Sequence, residues 1–84
     1  MKVKFYSDPG HGWAAVDRDT LVKLNIINRI SPYSYQKGHT VYLEEDCDMT
    51  TLAQALAQEQ DTLELEHHHT DDRSPIRNYP RFQA

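Results

Sequence analysis

The nine residues Phe5-Tyr6-Ser7-Asp8-Pro9-Gly10-His11-Gly12-Trp13 constrain the fold more than any other stretch, because they set a strand, a turn and a return in succession. At its start Lys2 and Lys4 alternate with Val3 and Phe5, the period-two pattern of a strand with one buried face. Asp8-Pro9-Gly10 ends that strand. Trp13-Ala14-Ala15-Val16 then returns as a second one, and the glycines flanking His11 permit a tight backbone path with the histidine at its tip.

The rest of the chain follows from that opening hairpin. Asp17 suits the N-cap of a short helix reaching Leu24, with Leu21 and Leu24 facing inward. Asn25 tolerates the left-handed conformation that ends a helix, and Ser31-Pro32 stops any continuation past Ile26, Ile27 and Ile30. Tyr33 to Gln36 and His39 to Glu44 form a hairpin around Lys37-Gly38, with Val41 and Leu43 on the core side. Asp48 is placed to cap a second helix, Met49 to about Gln60, whose apolar stripe is Met49, Leu52, Ala53, Leu56 and Ala57. Leu63 to His69 is a strand with Leu63 and Leu65 inward, and His67 and His69 continue that side. Ile76 to Phe82 is expected as a final edge strand, the place where Pro80 is tolerated. The order ββαββαβ(β) predicts an α+β fold in which two helices cover one face of a mainly antiparallel sheet.

At 84 residues the chain is expected to be a single domain, 1–84, burying about 60 to 65% of its unfolded surface. That leaves room for one small core and little for a large reaction pocket. No apolar run approaches the ~20 residues of a membrane helix, and the first residues lack the apolar core of a signal peptide, so a cytoplasmic protein without membrane contact is expected. A single cysteine, Cys47, excludes an internal disulfide and fits a reducing compartment. The net charge of −4 argues against direct binding to a nucleic-acid duplex. The charge is uneven: residues 1–42 hold six basic and three acidic side chains, whereas 43–84 hold three basic and ten acidic. Two electrostatically distinct surfaces are the expectation.

Four groups of residues are candidates for chemistry. Asp8-Pro9-Gly10-His11-Gly12 resembles the segment of zinc-dependent cell-wall amidases in which a histidine after a strand binds metal. In that family a downstream glutamate and a second histidine complete the site in a far larger domain. The plainer reading is a turn with His11 exposed at its tip. His67 and His69 point the same way along a strand, and with His11 or His39 they offer three neutral nitrogens for a metal-dependent hydrolase; the plainer reading is a polar strand end.

Glu44, Glu45, Asp46 and Asp48 crowd a helix entrance, where the dipole favours negative charge by ~0.3–1 kcal/mol, and that accounts for most of the cluster. The second reading is an acidic patch that docks on a basic protein surface. Finally, Pro75 and Pro80 exclude a regular helix for the C-terminal segment. In an extended conformation Arg77, Tyr79 and Arg81 project from one side, able to pair with phosphates and stack on a base. The plainer alternative is that these arginines neutralise Glu64 and Glu66. Nucleophilic catalysis is disfavoured, since the acids around Cys47 oppose its thiolate.

The blocks Phe5 to Trp13, Tyr33-Ser34-Tyr35 through Val41-Tyr42-Leu43-Glu44-Glu45-Asp46-Cys47-Asp48, and Ser74-Pro75-Ile76-Arg77-Asn78-Tyr79 resemble those of a group of small proteins encoded by tailed bacteriophages and prophages. The resemblance brings no catalytic or ligand residues and no cofactor with it. It implies a class of task, counter-defence or host takeover by a non-enzymatic protein that occupies its target in the infected cell. One version is an inhibitor that docks its acidic surface on a host protein. The other sequesters a nucleotide immune signal in a pocket of His11, Trp13, Tyr35, Arg77, Tyr79 and Arg81, with a homo-oligomer able to complete it.

Overall fold

The computed structural model describes residues 1–84. Five strands, β1 (Lys2–Ser7), β2 (Gly12–Asp17), β3 (Tyr35–Lys37), β4 (Thr40–Glu44) and β5 (Glu64–His69), form one sheet in the order β3-β4-β2-β1-β5. All neighbours are antiparallel except β1 and β5, which run parallel. Two helices, α1 (Arg18–Lys23) and α2 (Asp48–Gln58), pack on one face. The fold is α+β, as the element order predicts.

Strand alternation decides which side chains meet the helices. Val3 and Phe5 of β1, Ala14 and Val16 of β2, and Val41 and Leu43 of β4 share one face and pack with Leu21 of α1 and Leu52, Ala55 and Leu56 of α2. On α2 the buried small residue is Ala55, whereas Ala57 is exposed, so the helix is rotated from the stripe that the sequence suggests. Leu63 and Leu65 pack partly buried against the core edge. Lys2 and Lys4 stand opposite Glu64 and Glu66 in the parallel register. No C-terminal arginine pairs with either glutamate; the Glu66 carboxylate bonds His68, which is the chief cause holding it below its ordinary pKa, with smaller contributions from Lys2 and Lys4.

The predicted punctuation is present. The Asp17 carboxylate accepts from the Asp19 amide at the start of α1, Asn25 adopts φ 59°, and Gly38 turns the β3–β4 hairpin at φ 59°. The start of α2 differs. Cys47 occupies the N-cap without a side-chain bond, and the Glu44 carboxylate, one turn back, accepts from the amides of Asp46, Cys47 and Asp48. Burial pushes the Glu44 carboxyl up, but these three amide bonds outweigh it and hold the group below its ordinary value. Asp48 is released from capping and turns inward. Only 2% exposed, it accepts from the Ser31 amide and hydroxyl and from the Ser34 hydroxyl. Ser34 in turn accepts from the Glu44 amide, so the loop before β3 is fastened to the first turn of α2.

The final strand is the main departure. Pro75–Asn78 is a 3-10 turn capped by the Ser74 hydroxyl, and beyond it only Arg81 bridges to Tyr35. Proline at the first position of the turn needs no amide partner there, which favours the turn over an extended ladder.

Gly12 fills a packing requirement in this frame. A Cβ built there would clash with the Phe5 ring, which covers the glycine on the core face. Gly12→Ala is expected to destabilise the protein by about 2 kcal/mol through overpacking. Adding Phe5→Leu should recover part of that loss; urea denaturation of the two single variants and the double variant measures the coupling.

Candidate functional site

The outer face of the sheet, away from the helices, carries Tyr6, Trp13, Ala15, Tyr42 and Glu44 in alternate positions. It is not left open. After β5 the chain crosses this face to the far edge, where the Gln36 amide donates to the Pro80 carbonyl and the Phe82 amide to the Ser34 carbonyl. Phe82 then enters the core from that edge.

The crossing is fastened at Asp8. Its carboxylate accepts from Arg77 Nε at 2.6 Å and Arg77 Nη2 at 2.7 Å, and from the amides of Gly10, His11 and Ser74. The side chain is only 2% exposed. The Arg77 guanidinium holds the Asp8 carboxyl far below the usual carboxylate range; burial opposes this, and the three amides reinforce the guanidinium. Arg77 is shifted upward by the same bond. The turn Asp8-Pro9-Gly10 thus serves as a carboxylate cradle, a role that the turn-forming residues alone do not announce.

Between this anchor and β3 lies a cleft of about 400 Å3 lined by His11, Trp13, Tyr35, Arg77 and Arg81, with Tyr33, Glu44, Asp46 and Cys47 at its sides. Five of the six residues proposed for a ligand pocket therefore converge from three distant parts of the chain. They interleave: Arg77 lies over the Trp13 ring at 5.4 Å, Trp13 meets Tyr35 edge-on at 6.1 Å, and Arg81 lies over Tyr35 at 4.7 Å. Trp13 is only 2% exposed, so it is floor rather than a free stacking platform. Tyr33, 68% exposed, supplies an accessible ring that the sequence reading did not select. Arg81 has no carboxylate partner, its one hydrogen bond being a long one to the Pro32 carbonyl.

Tyr79 falls outside the cleft. The 3-10 turn breaks the alternation that would align it with Arg77 and Arg81. Its ring lies 5.3 Å from that of Tyr42 and beneath the Lys37 ammonium at 4.9 Å. It borders a second cleft of about 340 Å3 with Tyr6, Tyr42, His68 and Ile76. Burial raises the Tyr42 pKa, with added repulsion from Tyr79 and Tyr6.

The acidic cluster is divided by the fold. Asp48 is buried and Glu44 is occupied with helix amides, so a docking patch of Glu44, Glu45, Asp46 and Asp48 reduces to Glu45 and Asp46. The carboxylate of Glu44 is the foremost cause that pushes the Cys47 thiol up, followed by burial and by Asp48 and Asp46, the opposite of nucleophile activation. His11, His67 and His69 do not form a ligand cluster. His67 packs on Phe5, and His69 bonds Ser7. The one group of three metal-type ligand atoms within 4.8 Å of one another is the exposed set Asp17, Asp19 and His39. No helix is long and apolar enough to cross a membrane. Comparison with family models, with curated proteins and with solved structures returns no match.

The Asp8–Arg77 pair yields a pH-dependent prediction. Arg77→Leu strands a buried carboxylate and is expected to cost about 3–5 kcal/mol at pH 7. Because the folded-state pKa of Asp8 is depressed, the pair's contribution is fully present above the unfolded value of about 4 and declines as pH falls below it. The stability gap between wild type and Arg77→Leu should therefore narrow on acidification from pH 5 toward about pH 2, as followed by urea denaturation across that range.

Proposed function

We propose that this chain is a non-enzymatic binding protein that sequesters a nucleotide-type ligand in the cleft between the Asp8 turn and β3. The observation that carries the reading is the convergence of His11, Tyr35, Arg77 and Arg81, over a Trp13 floor, in a space of about 400 Å3. That volume suits one nucleotide unit. Arg81, which lies over Tyr35 and has no carboxylate partner, is the phosphate ligand; the exposed Tyr33 ring is the surface on which a base stacks. Asp46 on the opposite wall favours a ligand that also presents amino donors.

The resemblance to small tailed-phage proteins supports a counter-defence role, with removal of a nucleotide immune signal as the task. The competing version, an acidic face that blocks a host protein, has less support because only Glu45 and Asp46 of its four carboxylates remain free. Calorimetry with linear and cyclic dinucleotides tests the choice. Arg81→Ala is expected to weaken binding at least about tenfold while leaving thermal stability near wild type. Arg77→Ala cannot serve this purpose, since it also removes the partner of a buried carboxylate. Absence of heat with every nucleotide would return the weight to a protein target.

A further inference from the structure

The two edges of the sheet are treated differently. The outer edge of β3 is closed by the C-terminal segment, through Arg81, Pro80 and Phe82. The outer edge of β5 is unpaired along its length. An exposed row of amides and carbonyls is a template for another strand.

The backbone phase of β5 follows from its parallel pairing. The Glu64 amide donates to the Met1 carbonyl and the Thr70 amide to the Ser7 carbonyl, so the even-numbered residues turn their polar groups toward β1. Leu65, His67 and His69 consequently turn theirs outward.

We infer that β5 is a self-pairing edge, through which two copies of this chain join antiparallel about a two-fold axis at His67 into one continuous sheet. In that register Leu65 lies opposite His69 of the second copy and His67 opposite its own counterpart. These are the residues whose amides and carbonyls face outward, so the hydrogen bonds form there. Glu66 lies opposite His68 of the second copy, and His68 opposite Glu66, at the sites without hydrogen bonds, where facing side chains come closest. Glu66 already bonds His68 of its own strand at 2.6 Å, and the second copy extends this pair into a four-membered Glu–His row on the outer face. Sliding the register by one residue pair sets Glu66 against Glu66, or His68 against His68. Carboxylate–imidazole hydrogen bonding thus favours this register and a second copy as the occupant. Pairing also covers the half-buried Leu65 at the core edge, and sets the two Tyr6–His68 clefts side by side on one face.

Sedimentation velocity of the untagged full chain at pH 7.5, from about 1 μM to about 1 mM, is the direct test, and a reversible monomer–dimer equilibrium is expected. His67→Pro removes an outward amide while sparing the bonds to β1, and should weaken the dimer at least about tenfold. Glu66→His alone should weaken it likewise, and adding His68→Glu should restore it, because the swap returns a carboxylate facing an imidazole at every such site. Thermal melts verify folding; should His67→Pro fail to fold, the Glu66/His68 exchange decides. A monomer at every concentration, or a dimer indifferent to all three substitutions, overturns the inference.

Discussion

A carboxylate taken out of water demands compensation, and the architecture of this protein turns on how Asp8 obtains it. Removing a carboxylate from water costs several kcal/mol unless its oxygens are fully partnered. Here the two oxygens take two guanidinium bonds and three amide bonds. The amides of Gly10 and His11 are local, as in any Asx turn. The partners from Ser74 and Arg77 come from the other end of the chain. Satisfying Asp8 therefore pulls the C-terminal segment across the outer face of the sheet, and that crossing separates the two clefts.

The same device recurs on a second loop. Asp48, equally buried, gathers Ser31 and Ser34 and thereby fastens the loop after α1 to the start of α2. A chain of this size has a small apolar core, and burial alone positions its loops weakly. Two hydrogen-bonded carboxylates supply directional contacts that the core cannot, because charge-assisted bonds are short and geometrically selective. The cleft sits between them, with Arg77 on the Asp8 side and Glu44, which links Ser34 to α2, on the other.

Much of the fold is legible in the residues. Alternation at Val3 and Phe5 and at Val41 and Leu43 assigns the buried face, Asp17 and Asn25 mark the ends of α1, and Gly38 marks a hairpin. These are local signals, each arising within a few residues of its effect. Legibility fails where a side chain chooses among distant partners. Asp48 reads as a helix cap but turns inward, because Glu44 reaches the same amides from outside. Arg77, Tyr79 and Arg81 read as one row, but a proline-led 3-10 turn sends Tyr79 to the opposite side. The crowding of His11, Trp13, Arg77 and Arg81 was suggested by chemical kind alone; their adjacency depends on the Asp8 anchor.

The sequence by itself determined the class of fold, the phase of β1, β4 and β5 and the positions of most turns, since these follow from the two-residue and 3.6-residue periods of a chain with one side to bury. Only the tertiary structure decided that β5 runs parallel to β1, that the C-terminal segment crosses the sheet and meets it only by a short bridge at the β3 edge, and which carboxylates are buried. Those outcomes depend on contacts between residues distant in the chain, from 14 positions for Ser34 and Asp48 to 69 for Asp8 and Arg77, and such pairings leave no periodic trace in the sequence.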